Sequence, residues 1–459
     1  MKEHRAVLIL GDLVLVNVAV LLALGVWALR GDKDFGVAFL LSQSYWFILL
    51  SALWVVFASL NGLYDVVALG DLRSTSAALL RTVVWVVAGY FAIYFWSPPN
   101  SLPRLVVFYQ GAATILFVLI WRALYSSSLN HAPFRRRAII LGAGKAGRTI
   151  AATIQEHLNT HYQLLGFIDD DPQKLCAEID GLTVLGNHKQ LLRIACDMGV
   201  NEVVLAVTRD LPGDVFRTLL DVQEQGIEIV PMPVLYEQIT GRVPVEHIGE
   251  SWYVALPLGH ASTGSFYPII KRMLDLIVAA IGVVIFGILL PFIALAVRLD
   301  SPGPVFYGQE RVGKGGRVFK VHKLRTMVAD AERYGKAVWA QHNDPRVTRV
   351  GRLLRKARID EWPQFVNILK GEMSAVGPRP ERPEFVAQLE KLVPFYRLRH
   401  AVKPGMAGWA VVNFDYVDSI ESARVRVEYD LYYIKHQTLW LDIVILFRMV
   451  GQVFALKGR

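Results

Sequence analysis

The chain has 459 residues, of which 53% are hydrophobic and 19% are charged, and its formal net charge is +9. Such a length allows two or three domains, and the high apolar content excludes an ordinary soluble protein and predicts membrane segments. Only two cysteines, Cys176 and Cys196, are present, which excludes a disulfide-rich scaffold.

Four apolar segments open the chain, each close to the roughly 20 residues that span a bilayer. They are residues 6–29, 42–63, 79–97 and 104–125. Lysine and arginine collect before the first segment, in the second loop and after residue 126, so the positive-inside rule places these parts in the cytoplasm. We therefore predict a four-helix transmembrane bundle over 1–126, with the rest of the chain on the cytoplasmic side.

Residues 137–260 have the pattern of a Rossmann-like α/β domain. A short apolar strand leads into a G-x-G-x-x-G turn that opens a helix. The three glycines of this turn are Gly142, Gly144 and Gly147. Asp169 ends the next strand, where a ribose-binding acid would lie. Either this turn binds a nucleotide, or its glycines only allow tight packing, and the sequence leaves both interpretations open.

A long apolar helix is predicted over about 270–298, after a linker at 231–268 that contains several prolines and glycines. Pro291 lies inside this helix, where it removes a hydrogen bond and causes a bend. The run could cross a bilayer, but crossing would carry a strongly basic block to the far side. We therefore favour a re-entrant helix over a fifth span.

The stretch 349–380 concentrates residue types that handle phosphate. A basic amphipathic helix precedes two adjacent carboxylates, Asp360 and Glu361. A second helix is predicted to begin near Pro363 and to stop near Gly371, which places Asp360 by a helix N-terminus, where anions are favoured. Taken alone, the pattern also suits a capping aspartate beside a solvated basic face.

Two further segments complete the chain. Residues 317–327 alternate as a strand that carries Lys323 and Arg325. The apolar tail at 439–459 is predicted to be an interfacial or core helix, because its uncharged runs are too short to span a bilayer.

The segment from Arg311 to Arg358 is strongly basic, with fourteen lysines and arginines and only three acidic residues. This block lacks a recognisable nucleic-acid-binding fold, so we predict no nucleic-acid partner.

From Lys271 onward the chain resembles the bacterial sugar transferase family, the large monotopic polyprenyl-phosphate hexose-1-phosphate transferases. The motifs that carry the resemblance are Ser301-Pro302-Gly303-Pro304, Lys323-Leu324-Arg325-Thr326-Met327, Asp344-Pro345-Arg346, Asp360-Glu361, Gly377-Pro378-Arg379-Pro380, Lys403-Pro404-Gly405 and Tyr429-Asp430-Leu431-Tyr432-Tyr433. The resemblance implies a mostly helical catalytic domain over 269–459, on the cytoplasmic face of a bacterial inner membrane. The front half resembles the large family members only in general architecture.

The resemblance also implies the chemistry. A UDP-sugar, with glucose or galactose expected, would give its sugar-1-phosphate to undecaprenyl phosphate and release UMP, as the first membrane step of a surface polysaccharide. Asp360 would form a covalent phosphosugar intermediate, and Glu361 would bind Mg²⁺. The residues expected to face substrate phosphates are Lys323, Arg325, Arg355 and Arg379. The implied partners are the donor, the lipid acceptor and the bilayer, and a homodimer is suggested by analogy alone.

Late in the catalytic domain the sequence departs from the family pattern, and two other functions stay open. Ala407 and Val411 replace a hydroxyl and an amide, so the identity of the sugar stays undetermined. One alternative is a membrane-anchored, NAD-dependent nucleotide-sugar dehydratase or epimerase, although its Tyr/Lys pair is missing. The other is a non-enzymatic membrane scaffold whose basic block binds anionic lipid, in which Asp360→Asn would be silent.

Overall fold

The computed structural model divides into two compact units, Met1–Leu235 and Tyr236–Arg459. Helices and strands are numbered α1–α16 and β1–β10 in chain order. The residues that the structure describes are 2–31, 34–65, 72–95, 105–129, 135–207, 211–247, 266–328, 344–414 and 419–455.

In its described residues, the first part of the first unit consists of apolar helices. They are α1 (Lys2–Arg30), α2 (Val37–Ser42), α3 (Ser44–Leu60), α4 (Leu72–Tyr94) and α5 (Val106–Leu129). Among the described residues, four helices are long and apolar enough to cross a membrane, namely Arg5–Arg30, Arg73–Tyr94, Val106–Ser127 and Tyr267–Asp300. These apolar helices confirm the prediction of a membrane protein, while a bundle of four spans stays a prediction because α3 is shorter.

The described parts of these helices share an apolar core and contain a buried ion pair. Trp46, Trp54 and Leu79 are at most 1% exposed within it. Arg122 of α5 donates to Asp12 of α1 at 2.9 Å, and both side chains are at most 2% exposed. Residues 96–104, where the third predicted segment ends and the fourth begins, lie outside the described residues.

A six-stranded sheet with the order β3-β4-β2-β1-β5-β6 follows in the same unit. Its strands are β1 (Arg136–Leu141), β2 (Tyr162–Ile168), β3 (Glu178–Ile179), β4 (Leu182–Gly186), β5 (Glu202–Leu205) and β6 (Glu228–Pro231), and the helices between them are α6 (Lys145–His157), α7 (His188–Asp197) and α8 (Gly213–Glu224). All neighbouring strands are parallel except β3 and β4. The strands predicted by the apolar runs are present, and a Rossmann-like role for the sheet stays a prediction.

The second unit is mostly helical with two small sheets. Its helices are α10 (Tyr267–Asp300), α11 (Arg349–Lys356), α12 (Phe365–Lys370), α13 (Pro383–Leu392), α14 (Trp409–Asn413), α15 (Ile420–Lys435) and α16 (Leu439–Phe454). β7 (Phe306–Val312) and β8 (Val318–Leu324) form an antiparallel hairpin, while β9 (Ser374–Val376) and β10 (Gly405–Ala407) pair in parallel. The predicted strand at 317–327 is thereby confirmed as β8.

The segment predicted as a linker contains a helix, α9 (Met232–Thr240). Glu237 contacts Lys435 at 2.9 Å and His436 at 3.0 Å, and the Gly241 carbonyl accepts from Trp409 Nε1 at 2.9 Å. Because these contacts fix residues 237–241 onto α14 and α15, the predicted linker at 231–268 begins with packed structure. Its residues 248–265 lie outside the described residues.

Helix α10 packs one of its faces along the second unit. Asp275 accepts hydrogen bonds from β9, Phe286 is 7% exposed, and Asp300 accepts from the Val350 amide at the start of α11. The opposite face is apolar and open, with Phe292 72% exposed. The helix continues through Pro291, so the re-entrant path stays a prediction.

Candidate active site

The adjacent carboxylates Asp360 and Glu361 lie in the first turn of a short 3-10 helix, Ile359–Gln364. This helix runs directly into α12, which ends at Gly371 in the left-handed conformation (φ 82°) that glycine favours. The helix predicted near Pro363 is therefore present, although its first turn is a 3-10 turn. Arg358, with φ 54°, bends the chain before it.

Glu361 is held between two cations that come from separate elements. Lys323 of β8 donates to Oε1 at 3.1 Å. Arg379, in the loop after β9, donates to both carboxylate oxygens, with NH1 to Oε2 at 3.2 Å. Although burial favours the neutral acid, Arg379 and Lys323 hold the pKa of Glu361 well below its ordinary value. Glu361 is therefore ionised across the physiological pH range.

Asp360 has a different environment from its neighbour. It is 9% exposed, and its carboxylate accepts no hydrogen bond from any residue in the described ranges. Burial, assisted by the Glu361 charge, raises the pKa of Asp360 to about 6, against the opposing effect of Lys323, Arg355 and Arg379. At neutral pH this carboxylate is mainly ionised, and because no described residue donates a hydrogen bond to it, its oxygens have the character expected of a nucleophile.

The loop that carries Arg379 is fastened by other arginines. They are Arg311, Arg399 and Arg426. Arg399 donates to the Arg379 carbonyl at 2.9 Å and forms a buried ion pair with Asp430 at 2.7 Å. Glu381 pairs with the other two arginines, and its carbonyl accepts from the Val312 amide. This network fixes the backbone of Arg379, so its guanidinium is preorganised toward Glu361.

Sequence reasoning assigned no role to Arg399, Arg426 or Asp430. Asp430 belongs to the Tyr-Asp-Leu-Tyr-Tyr motif, and a charged residue among apolar neighbours signals a buried partner. That signal was available, but it does not say which cation is the partner. Arg399 lies in no motif and is separated from its partner by 31 positions, so nothing local identifies it.

Strand β9, which leads to Arg379, is attached to α10. Asp275 Oδ1 accepts from Ser374 Oγ at 2.9 Å and from the Ala375 amide at 2.8 Å. Lys271 Nζ donates to the Val376 carbonyl at 3.1 Å and pairs with buried Asp442 of α16. The position of the Arg379 loop therefore depends on the first turns of the apolar helix.

The structure separates the two remaining arginines of the predicted phosphate site. Arg355 of α11 donates to Thr326 Oγ1 at 2.9 Å, and its charge acts on Asp360. The guanidinium of Arg325 instead donates to the carbonyls of Val297, Ser301 and Pro302 at the end of α10. A phosphate-binding role for Arg325 stays a prediction, and any such role competes with these contacts.

A Mg²⁺ ion at the Asp360–Glu361 pair would need ligands from the substrate. The described residues contain no group of three or more His, Cys, Asp or Glu side chains that could hold a metal by themselves. Mg²⁺ is commonly bound by one or two carboxylates together with substrate phosphates. The Asp360 carboxylate, which accepts no hydrogen bond from the described residues, lies beside ionised Glu361 and fits that arrangement, and the phosphates would complete it.

The glycine-rich turn of the first unit lies between β1 and α6. A Cβ at Gly147 would lie 1.9 Å from the Gly142 carbonyl oxygen, so close packing alone demands glycine there. Asp169 Oδ2 accepts from the Ala143 amide at 2.7 Å. These contacts explain the glycines and Asp169 structurally. A nucleotide at this turn, which includes Gly144, stays a prediction.

Two family models match the chain. The model described as bacterial sugar transferase matches residues 266–456, which contain both carboxylates and all four predicted phosphate-binding residues. The model described as a CoA-binding domain matches residues 59–233, which contain the six-stranded sheet.

Several known proteins are similar to this chain. UDP-N-acetylgalactosamine-undecaprenyl-phosphate N-acetylgalactosaminephosphotransferase of Aeromonas hydrophila is 40% identical over 59% of this chain and 66% of its own length, so the chain spans about two thirds of that relative. UDP-glucose:undecaprenyl-phosphate glucose-1-phosphate transferase of Escherichia coli (strain K12) is 32% identical over 72% of this chain and 70% of its own. The exopolysaccharide production protein PSS of Rhizobium leguminosarum bv. phaseoli is 38% identical over 40% of this chain and 94% of its own.

Proposed function

Because the chain belongs to the bacterial sugar transferase family, we propose that it transfers a hexose-1-phosphate from a UDP-sugar to undecaprenyl phosphate and releases UMP. It is a membrane enzyme of the sugar-phosphate transferase class. The observation that carries the proposal is the carboxylate pair, in which Glu361 is held by Lys323 and Arg379 while Asp360 remains without a hydrogen-bond partner in the described part of the chain.

The reaction proceeds in two displacements. In the first, a carboxylate oxygen of Asp360 attacks the sugar-side phosphorus of the donor. The bond between that phosphorus and the oxygen bridging the two phosphates breaks, and UMP leaves with the oxygen. An oxygen of undecaprenyl phosphate then attacks the same phosphorus, and the bond to Asp360 breaks. The carboxylate is regenerated, and the lipid carries the sugar through a diphosphate.

Cations at the site offset the charge of three anions, namely the nucleophile, the donor and the acceptor. The guanidinium of Arg379 and the ammonium of Lys323 lie beside the carboxylate pair, and Arg355 stabilises the Asp360 anion. An arginine fork matches phosphate oxygens as well as carboxylate oxygens. Glu361 would hold a divalent cation, whose charge would screen the donor diphosphate when bound.

Helix α10 brings this site to the lipid acceptor. Its outer face exposes large apolar side chains, among them Ile288 and Phe292, while its inner face supports β9 and the Arg379 loop. A bilayer is the medium that suits such a face. We place the helix in the cytoplasmic leaflet of the inner membrane on a re-entrant path, where a lipid phosphate and a water-soluble donor can reach one site in turn.

UMP release by the full-length protein in nanodiscs that contain undecaprenyl phosphate tests the proposal. UDP-glucose, UDP-galactose and UDP-N-acetylgalactosamine are compared, since the relatives differ in the sugar that their names specify. We expect release with one donor, sensitivity to EDTA, and loss with Asp360→Asn. Glu384→Gln, which changes a carboxylate that is 58% exposed, is the matched control and should keep wild-type activity. Activity of Asp360→Asn equal to wild type would remove Asp360 from the mechanism.

A further inference from the structure

Helix α11 has three faces with different surroundings, and its inner face is attached to α10. Val350 and Leu354 pack against α10 in a cluster that includes Phe286 and Val297. The Val350 amide also donates to Asp300, the last residue of α10, at 2.9 Å. The start of α11 is therefore fixed to the end of the apolar helix.

A second face of α11 is turned toward the candidate active site. Arg355 donates to Thr326 Oγ1 at 2.9 Å, and a Cβ at Gly351 would lie 2.2 Å from the Thr326 carbonyl oxygen. After α11 the chain passes through Arg358 directly to Asp360. The position of α11 therefore affects two charges of the site, those of Arg355 and Asp360.

The third face of α11 is a stripe of three cations around one leucine, which we call the outer stripe. Its members recur at helical spacing and are all exposed, namely Arg349, Arg352, Leu353 and Lys356. Leu353 is 60% exposed, and the side chains of Arg352 and Lys356 form no ion pair or hydrogen bond within the described part of the chain. Cations grouped around an exposed apolar side chain suit an anionic amphiphile.

The depth of the outer stripe follows from the two ends of α10. Lys271 and Arg272 lie in the first turns of this helix, and exposed Arg298 lies in its last turn. Lysine and arginine near the ends of a membrane helix reach the lipid headgroups. With α10 in the membrane as proposed above, α11, which is hydrogen-bonded to Asp300, lies at the level of the lipid phosphates.

We propose that the outer stripe binds the headgroups of anionic phospholipids, and that the enzyme is more active in a bilayer that contains them. Binding rests on the membrane position of α10, and the effect on rate rests on the proposed function. Each cation near an anionic bilayer contributes about a fivefold preference. A headgroup bound to Arg352 and Lys356 holds α11 in place, and with it Arg355 and the turn that leads to Asp360.

A fluorophore on α11 tests lipid binding without any need for catalysis. It is attached through Leu353→Cys in the full-length protein, with Cys176→Ser and Cys196→Ser removing the native thiols. In nanodiscs, phosphatidylglycerol that is spin-labelled on its acyl chain should quench the dye more than phosphatidylcholine labelled in the same way. We expect an enrichment on the order of tenfold that declines with salt and is lost in Arg352→Gln/Lys356→Gln. Equal quenching by the two lipids in the protein that keeps both cations would overturn the proposal.

UMP release in nanodiscs with and without phosphatidylglycerol, at fixed undecaprenyl phosphate, tests the effect on rate. We expect phosphatidylglycerol to raise the wild-type kcat about fivefold, and to leave the kcat of Arg352→Gln/Lys356→Gln unchanged. The charge-preserving variant Arg352→Lys/Lys356→Arg should respond like the wild type. Arg397→Gln, which removes an 84% exposed cation elsewhere in the same unit, is the matched control and should also respond like the wild type. Lipid enrichment without any change in the wild-type kcat would overturn the effect on rate.

Two further measurements identify the anion that the outer stripe binds. If the stripe binds the phosphate of undecaprenyl phosphate instead, Arg352→Gln/Lys356→Gln raises KM for this acceptor in phosphatidylcholine alone, which would overturn the proposal. If the stripe is a site for free phosphate, inorganic phosphate removes the lipid preference more strongly than sodium chloride of equal ionic strength, which would also overturn it. We expect an unchanged KM and equal effects of the two salts.

The outcomes also separate this proposal from the proposed function. If phosphatidylglycerol collects at α11 through Arg352 and Lys356 but no donor supports UMP release, the lipid site stands and the transferase assignment fails. If transfer occurs while the dye shows no lipid preference, the transferase assignment stands and the lipid site fails.

Discussion

Asp360 and Glu361 are neighbours in sequence, but their carboxylates have opposite surroundings. Glu361 is paired with two cations, whereas Asp360 is buried beside that charge without a hydrogen bond from the described residues. Burial and the Glu361 charge raise the pKa of Asp360, and the cations lower the pKa of Glu361. Divergent pKa values in one pair favour different roles, in keeping with the proposal that Asp360 is the nucleophile while Glu361 keeps a permanent charge.

The pH dependence of UMP release follows from the Asp360 pKa of about 6. In the proposed mechanism only the ionised carboxylate of Asp360 attacks phosphorus, so activity should be full well above pH 6 and should fall as pH drops through 6. An initial-rate series from pH 5 to pH 8 at saturating donor measures this. A rate that stayed constant down to pH 5 would contradict the assignment. It would mean that Asp360 has the pKa of an ordinary aspartate, which is still ionised at pH 5.

Asp360→Asn should give a protein that is inactive yet more stable. The pKa of Asp360 rises from 3.8 in an ordinary environment to about 6 in the folded protein, so ionisation costs folded-state stability above pH 6. This destabilisation disappears below the ordinary pKa of 3.8, because Asp360 is then protonated in both the folded and the unfolded protein. An amide avoids the cost and should stabilise the fold at pH 7 by about 1–3 kcal/mol. Thermal unfolding of the wild type and of Asp360→Asn at pH 7 and at pH 4 measures this. We expect the variant to be more stable than the wild type at pH 7 only.

Arg379→Lys keeps the charge but loses the fork that contacts both oxygens of Glu361. We expect kcat for UMP release to fall by about tenfold to a hundredfold, with the fold intact. Arg382→Lys is the matched control, since Arg382 pairs at 3.6 Å with an exposed carboxylate. Equal activity of the two variants would mean that charge alone, and not bidentate geometry, is needed at position 379.

The two faces of α10 have different surroundings. Its inner face holds β9 through Asp275 and Lys271, and its outer face is open and apolar. The helix that we propose to lie in the membrane thus also sets the position of the strand that leads to Arg379. A disturbance of its first turns should reach the active site through the short strand β9.

Asp275→Ala tests this connection. The change leaves Ser374 Oγ and the Ala375 amide as buried donors without their acceptor, which should destabilise the protein by about 1–3 kcal/mol. It should also lower kcat, since the Arg379 loop shifts, and Asp275→Asn should restore part of the rate because its amide oxygen still accepts. Ile288 is 67% exposed on the outer face of α10, so Ile288→Ala is the control for a general effect on the helix. UMP release in detergent, measured together with thermal unfolding, distinguishes the variants.

Local features of this chain were predictable from sequence, and contacts between distant segments were not. The helical spacing of apolar residues in α11 and the end of α12 at Gly371 both depend on neighbours within a few residues. The sequence pattern therefore predicted both features. In the same way, the alternation of side chains predicted strand β8. The pairing of Arg399 with Asp430 depends on the folded chain, as does the use of Arg325 at the end of α10. The packed start of the predicted linker was missed for the same reason.

The second unit contains both the candidate site and the apolar helix α10. It has a separate hydrophobic core, which includes Ile368, Val427 and Ile445. The family model of the transferases matches 266–456 and therefore falls within this unit. The site chemistry should consequently need no residue of Met1–Leu235.

A fragment of residues 236–459 should remain in the membrane fraction after a high-salt wash, because the apolar face of α10 is retained. It should also release UMP at a rate within about tenfold of the full chain, since every group placed at the phosphorus is present. Fractionation followed by the nanodisc assay measures both properties. Recovery of a folded but soluble fragment would show that the first unit supplies the membrane anchor.

The Asp360 carboxylate, which accepts no hydrogen bond from the described residues, bears on the choice of inhibitor chemistry. An anionic mimic of the donor competes with Glu361 for Lys323 and Arg379, so it must break existing ion pairs before it gains new ones. A neutral electrophile that reacts with carboxylates meets no such competition at Asp360. Warheads that alkylate carboxylates, carried on a uridine-like scaffold, are therefore better suited to this site than stable diphosphate analogues.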